Sequence, residues 1–97
     1  MRILLLVIAC AAQNQARRAD SVLLVECDVP SASVYVDEQF AGRAADLGAR
    51  GLPVVHGSLR VEVRADGYYP AYRDVPVAAG ERAHVQVPLR AVPEGEP

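Results

Sequence analysis

The sequence predicts an all-β fold, a small antiparallel β-sandwich of about six or seven short strands, and three observations support this prediction. Apolar and polar residues alternate with a period of two through most of the body of the chain. Turn-forming residues separate the alternating stretches. The chain has 97 residues, which is enough for one small domain.

The clearest strand is predicted over residues 59–65, where the odd-numbered side chains are apolar and the even-numbered ones are charged. Residues 83–90 repeat the alternation. Pro88 cannot donate a ladder hydrogen bond, so this last strand is predicted to lie at an edge or to end there. Further strands are predicted over residues 21–27, which are apolar on both faces, over residues 34–36, and in shorter form over 40–41 and 72–75.

Turns are predicted between the strands, at residues 37–38, 49–51, 66–67 and 79–81. Residues 29–33 are interpreted as a break, in which Pro30 ends ladder pairing and small residues let the chain turn close to its own sheet. Residues 37–38 cap a hairpin whose return strand begins near Phe40. Residues 42–47 are the one stretch that could be helical, and because they are so few and are bounded by glycines they are predicted to form a loop or a single turn.

Charge and side-chain chemistry argue against several classes of function. The net charge of −2 comes from 12 acidic and 10 basic residues that are dispersed along the chain, so no basic stripe is present to bind nucleic acid. His56 and His84 lack a nearby cysteine or clustered carboxylate, which argues against a metal site. The serines lie in no catalytic motif, and the chain has no lysine. The sequence therefore predicts no catalytic residue, no cofactor and no enzyme activity.

The first ten residues are typical of an export signal. Arg2 precedes an apolar run at residues 3–8, and the small Ala9 precedes Cys10. The run is far shorter than the roughly 20 apolar residues of a membrane-spanning helix. Residues 7–10 resemble the bacterial lipobox, which implies that Cys10 carries lipid and becomes the first residue of the mature protein. An ordinary cleaved signal, or a buried first strand of a cytosolic protein, is the alternative.

Four segments are predicted on these observations: a signal peptide (1–9), a lipidated cysteine with a polar tether (10–20), a sandwich domain (21–90) and a disordered tail (91–97). A disulfide between Cys10 and Cys27 is not predicted, because Cys10 lies outside the predicted domain. Ala11, rather than an aspartate, comes directly after Cys10. By resemblance to known sorting patterns this implies an anchor in the outer membrane, with a periplasmic or secreted protein as the alternative.

The order of strand and turn motifs resembles the PEGA domain, a bacterial module, over residues 22–89. The resemblance rests on the strand Val-Tyr-Val-Asp at residues 34–37, on alternating valines before Gly-Tyr at residues 57–68, and on a final strand pair with a glycine turn at residues 75–89. Glu38 stands where the family usually has a glycine. The resemblance implies a sandwich similar to carbohydrate-binding and transthyretin-like folds, in which Tyr68 packs across the core.

Three functions remain open at this point. The first is a non-enzymatic, lipid-anchored binding or structural module of the cell envelope. The second is an accessory carbohydrate-binding protein that uses Tyr69, Tyr72 and Arg73, since exposed aromatic rings can stack on sugars. The third is a small subunit of an envelope complex that offers an unpaired strand for sheet extension. The competing interpretation of the tyrosines is that their rings cover the open end of a small core.

Overall fold

The computed structural model describes residues 18–93 and confirms the all-β sandwich. The elements in chain order are β1 (Ser21–Glu26), β2 (Ser33–Val36), β3 (Gln39–Arg43), α1 (Ala44–Arg50), β4 (Leu52–Val54), β5 (Gly57–Arg64), β6 (Tyr68–Tyr69), β7 (Ala71–Val77), β8 (Arg82–Gln86) and β9 (Arg90–Ala91). Within the described residues no helix is long and apolar enough to cross a membrane.

Two sheets form the sandwich, and a short ribbon lies beside them. One sheet has the strand order β4-β1-β8, the other has the order β3-β2-β5-β7, and β6 pairs with β9 in the ribbon. All pairs are antiparallel except β1 and β8, in which residues 22–26 run parallel to residues 82–86. A parallel pair needs a long connection. Here the connection contains the whole second sheet together with α1, β4 and β6, and the first and last long strands of the domain are neighbours.

The core lies between the two sheets and consists of aliphatic side chains. Its largest fully buried members are Leu23, Val25, Val34, Val61, Val63 and Val87. Burying a side chain of this kind contributes about 1.5–3 kcal/mol, so these residues account for much of the stability of so small a domain. The alternation predicted for residues 59–65 is confirmed. The strand predicted around Pro88 ends at Gln86, as expected, while Leu89 beyond it stays buried.

The apolar outer face of β1 is explained by the connection between α1 and β4. Gly51, directly after α1, lies so close to β1 that a Cβ atom there would meet Val22 Cγ1 at 2.7 Å and Leu24 Cγ at 3.5 Å. Leu24 is buried although it belongs to the face that points away from the core between the sheets. The connection therefore covers this face, and both faces of β1 are shielded from water.

The prediction of a loop or a single turn at residues 42–47 is wrong, because α1 begins at Ala44 and continues through Gly48 to Arg50, which is about two turns. Two features of the tertiary structure stabilise this short helix. Ala44 and Leu47 are buried in the core. The N–H groups of Ala44 and Ala45, at the helix start, donate to the carbonyl oxygens of Ala32 and Pro30 at 2.9 and 3.0 Å. The break at residues 29–33 thus also caps a helix.

Gly48 does not bound the helical stretch and instead permits close packing. A Cβ atom at this position would lie 3.2 Å from the carbonyl oxygen of Val25. The helix can therefore approach the backbone of β1 because this residue has no side chain. The turn predicted at residues 49–51 is reduced to Gly51, which ends the helix with φ 81° and donates its N–H to Leu47 O at 3.0 Å.

The hairpin between β2 and β3 is as short as a hairpin can be, with Asp37 and Glu38 as its two turn residues. Both have positive φ, 49° and 74°, which is the mirror-image turn that matches the twist of the strands. Neither residue is glycine. Asp37 Oδ1 accepts a hydrogen bond from Arg60 N at 2.9 Å, which compensates this residue for its left-handed conformation.

The ordered domain extends slightly beyond the predicted boundaries. Asp20 N donates to Val54 O at 3.0 Å, so the end of the predicted tether is part of the fold. Ala91 lies in β9, and Val92 N donates to Gly67 O at 2.8 Å, so these two residues of the predicted tail also belong to the domain. The signal peptide, the lipidation site Cys10, most of the tether and residues 94–97 lie outside the described residues.

Candidate functional site

The outward face of the four-stranded sheet carries a row of side chains that crosses all four strands. Strand register places Phe40 on β3 beside Tyr35 on β2, Tyr35 beside Glu62 on β5, and Glu62 beside Tyr72 on β7. Val34, the neighbour of Tyr35 along β2, points into the core. We call Phe40, Tyr35, Glu62 and Tyr72 the aromatic row. Phe40 and Tyr72 are 59% and 56% exposed.

A second row runs parallel to the first and contains two arginines. Ser33 on β2 is flanked by Arg43 on β3 and by Arg64 on β5. We call Arg43, Ser33 and Arg64 the arginine row. These three residues and Tyr35 line an open depression of about 780 Å³. Its remaining walls include Tyr68, Pro70 and Asp66.

A β-bulge in β3 brings Phe40 and Arg43 to the same face. Residues three positions apart in a regular strand point to opposite faces, because side chains alternate. Here Tyr35 lies opposite Phe40 and Val34 lies opposite Gly42, so Ala41 is an extra residue without a partner on β2. The bulge therefore places Arg43 in the arginine row while Phe40 remains in the aromatic row.

Contacts within the two rows hold the central side chains in place. The Tyr35 and Phe40 rings meet edge to face, with centroids 5.7 Å apart. The guanidinium of Arg64 lies over the Tyr35 ring, 4.8 Å from its centroid, and its Nε atom donates to Glu62 Oε2 at 2.5 Å. This hydrogen bond lowers the pKa of Glu62, with a smaller contribution from Tyr72, and raises the pKa of Arg64. Glu62 is therefore a carboxylate acceptor.

The structure separates the three candidate residues predicted from the sequence. Tyr72 belongs to the aromatic row. Arg73 is the next residue on β7, where alternation directs its side chain away from that row, and its NH1 group donates to Tyr72 O at 2.9 Å. Tyr69 is 43% exposed but lies in the ribbon, where it pairs with Arg90. The expected position of Tyr68 is confirmed, because its half-buried ring packs against the core.

Sequence reasoning missed the other members of the two rows, although part of the signal was present. Counting outward from a two-residue turn at residues 37–38 sets Tyr35 opposite Phe40, and alternation in β5 turns Glu62 and Arg64 outward. The pairing of β2 with β5, and of β5 with β7, has no signal in the local sequence, because the paired segments are distant from one another along the chain. The bulge at Ala41 carries none either.

Elsewhere, polar contacts are structural. Asp20 joins the start of β1 to the loop before β5: its Oδ2 lies 2.6 Å from His56 Nδ1, and its Oδ1 accepts from His56 N at 2.9 Å. These bonds lower the pKa of Asp20. Among residues 18–93, no group of three or more histidine, cysteine or acidic side chains could hold a metal ion.

The fold and the surface define a class of protein. The strands of one sheet display aromatic side chains next to a paired carboxylate and guanidinium on their outer face. The molecule is thus a small β-sandwich module with aromatic and charged side chains on one outer face.

Comparison with known families agrees with this class. The PEGA domain model matches residues 20–93, most of the chain, and the protein belongs to the PEGA domain family. The family is in general non-catalytic and suggests a binding or structural module. No curated protein matches the sequence.

Proposed function

We propose that this protein is a non-catalytic carbohydrate-binding module of the cell envelope, held at a membrane surface by lipid on Cys10. The observation that carries the binding role is the aromatic row, in which Phe40 and Tyr72 are more than half exposed at the two ends of a rigid sheet. Sugar rings offer C–H faces that stack on aromatic rings, and hydroxyl groups that bond to charged side chains. Arg64, at the centre of the face, provides several donors, and Glu62, whose side chain is only 13% exposed, holds it in place.

The length of the aromatic row favours a chain-like ligand. Four neighbouring strands at about 4.8 Å spacing give a row of about 14 Å from Phe40 to Tyr72. A ligand that contacts both ends must therefore span several sugar rings. The face is open and shallow, as adsorption to a polymer requires, and unlike the enclosed pocket that binds a small molecule.

A glycan array read with matched variants tests the binding role. We expect the wild type to bind oligosaccharides better than monosaccharides, and Tyr72→Ala to weaken binding about fivefold, because stacking on one aromatic ring is typically worth about 1 kcal/mol. Tyr69→Ala is the matched control, since it removes an exposed tyrosine from the ribbon and leaves the aromatic row intact. An array without binding, or equal losses in both variants, would contradict the assignment of this face.

Metabolic labelling tests the anchor. The support for lipid is the run of apolar residues and Ala9 before Cys10, together with the short distance in sequence from Cys10 to the predicted domain at residue 21. Cells that express the wild type and are fed a labelled fatty acid should yield a labelled protein in the membrane fraction, whereas Cys10→Ser should be unlabelled. Equal labelling of the two proteins would remove the lipid anchor from the proposal.

A second candidate function, sheet extension by a partner protein, is favoured by the state of one edge. Three of the four sheet edges carry features that impede pairing: β4 is short and contains Pro53, β3 has a bulge, and β7 contains Pro76. The fourth edge, β8, has no proline within Arg82–Gln86. Val22 N donates to Glu81 O at 2.9 Å and Val87 N donates to Glu26 O at 2.8 Å. The backbone N–H and C=O groups of the odd-numbered residues in this segment therefore point toward β1.

His84 therefore directs its backbone N–H and C=O away from β1, toward the open edge. His84→Pro should keep the β1–β8 ladder and block an added strand. If the protein works by sheet extension, the wild type co-purifies with an envelope partner and His84→Pro does not. If both variants recover the same proteins, this second function is excluded.

A further inference from the structure

We infer that the arginine row recognises the carboxylates of an acidic polysaccharide, a chain that contains uronic acid residues. The inference rests on the proposed carbohydrate-binding role and adds the class of sugar. It is supported by the guanidinium groups of Arg43 and Arg64, which the strand register places on either side of Ser33, and by the ion-pair partners that each arginine has or lacks.

The two arginines differ in how far their charges are already compensated. Arg64 is committed to Glu62 and to the Tyr35 ring. Arg43 forms no ion pair within residues 18–93, and its side chain donates one hydrogen bond there, from NH1 to the carbonyl oxygen of Ser31 at 3.1 Å. The rest of its guanidinium edge faces solvent. A guanidinium binds a carboxylate through two parallel N–H donors, so Arg43 can bind one acidic group.

The depression around Arg43 contains one cation that has no ion-pair partner among residues 18–93. The charged residues that line the depression are Arg43, Arg64 and Asp66, and of the two arginines only Arg64 is paired, with Glu62. The lining also contains the hydroxyl-bearing Ser31 and Ser33 and the rings of Tyr35 and Tyr68. These groups match the three features of a uronate: the cation can bind its carboxylate, the protein hydroxyls can bond to its hydroxyls, and the aromatic rings can stack on its apolar ring face.

The small side chain of Ser33 leaves room for the ligand between the two arginines. Two strand spacings separate β3 from β5, or about 10 Å, and the strand between them contributes Ser33. A large side chain at Ser33 would fill this gap. On β2 and β5 the residues of the aromatic row are two positions from those of the arginine row and lie on the same face. A polysaccharide chain that crosses the sheet therefore contacts both rows at once.

Polygalacturonate oligomers and their carboxyl-reduced forms test the inference, because the two ligands share a backbone and differ only at C6, which carries a carboxylate in one and a neutral hydroxymethyl group in the other. With the full-length protein, titration calorimetry should give a Kd at least about tenfold lower for the acidic oligomer. Arg43→Gln should remove most of that difference, because it should weaken binding of the acidic oligomer much more than binding of the reduced one. Arg50→Gln, which removes an exposed arginine at the end of α1, is the control for total charge and should retain the preference.

The outcomes separate this inference from the proposed function. Equal affinity for the two oligomers, with binding still dependent on Tyr72, would overturn the acidic class and leave the carbohydrate-binding role intact. Equal effects of Arg43→Gln and Arg50→Gln, or binding of polyglutamate as tight as that of polygalacturonate, would overturn it as a non-specific charge effect. Absence of binding to both oligomers, in a protein that is also silent on the array, would overturn both proposals.

Discussion

Glu38 has a backbone conformation that its side chain does not favour. Its φ of 74° lies in the left-handed region, and unlike Asp37 it has no side-chain hydrogen bond within residues 18–93 in compensation. A non-glycine residue in this region costs about 1–2 kcal/mol. The chain accepts this cost because the hairpin must turn in two residues to align Tyr35 with Phe40, a pair that belongs to the proposed binding face.

Glu38→Gly is therefore expected to stabilise the protein. Relief of the left-handed strain outweighs the greater conformational entropy of glycine, for a net gain of about 0.5–1 kcal/mol in the free energy of unfolding. Urea unfolding measures it. Asp37→Gly serves as the comparison, because it also loses the bond to Arg60 N and should gain less or be destabilised. A loss of stability in Glu38→Gly would contradict the strain assigned to this turn.

Asp20 makes the stability of the domain depend on pH. The hydrogen bond with His56 lowers the pKa of Asp20 below its ordinary value of 3.8. Since the folded state lowers the pKa, the ionised carboxylate stabilises the fold above the pKa of the unfolded chain, and this contribution disappears as pH falls through the lowered pKa.

Asp20→Ala should accordingly have a lower Tm than the wild type at about pH 6, and the difference between the two proteins should shrink as the pH falls below about 3.8. Thermal unfolding followed by circular dichroism over a range of about pH 2–7 measures this difference. A constant difference across that range would show that Asp20 acts through packing and not through its charge.

At the scale of single elements, helix α1 depends on glycine at its contacts with β1. Gly51 has φ 81°, and a Cβ atom there would lie 2.7 Å from Val22 Cγ1. Gly67, in the turn before β6, has almost the same φ of 82° but no atom within 4 Å of its would-be Cβ. The two glycines thus share a backbone conformation and differ in the space around them.

Alanine substitution separates these two contributions. Gly67→Ala should cost about 1 kcal/mol through backbone strain alone. Gly51→Ala should cost about 1–3 kcal/mol more, because the new methyl group overpacks the contact between the α1–β4 connection and β1. The free energies of unfolding from urea titration give the comparison. Equal losses in the two variants would mean that Val22 moves aside without cost.

Strand β5 and helix α1 differ in how well local sequence predicts their structure. The alternation in β5 is sufficient to predict its buried and exposed faces, because a strand with one face in the core must alternate. Local sequence predicts a loop in place of helix α1, because its seven residues cannot form a stable helix by themselves. The stability of α1 comes from burial of Leu47 and from the carbonyl groups of residues 30–32, which no window of local sequence includes.

At the scale of the whole molecule, the described elements form one self-contained domain. Both sheets, the ribbon and α1 lie within residues 18–93, and the family match covers residues 20–93. The first and last long strands, β1 and β8, are neighbours in one sheet, so the ends of the domain are joined by a ladder of hydrogen bonds. Such a domain is expected to unfold as one cooperative unit.

A fragment of residues 18–93 should therefore fold alone. We expect a β-type far-ultraviolet circular dichroism spectrum, a single unfolding transition, and a Tm within about 5 °C of that of the full chain, since a change of about 1 kcal/mol moves the Tm of so small a domain by about 4–8 °C. A Cys10→Ser full-length protein is the soluble reference. A fragment that unfolds gradually, or a helical spectrum, would contradict the autonomy of the domain.

The sequence by itself determined the class of fold, the buried faces of β5 and β8, the lack of any recognisable catalytic motif and the resemblance to the PEGA family. These properties are local or compositional, since alternation, turn chemistry and motif order can all be read within short windows. Only the tertiary structure decided the parallel pairing of β1 with β8, the helix, the bulge at Ala41 and the alignment of Phe40, Tyr35, Glu62 and Tyr72. Each of these depends on which distant strands become neighbours, and that choice minimises the free energy of the whole core, not of any one segment.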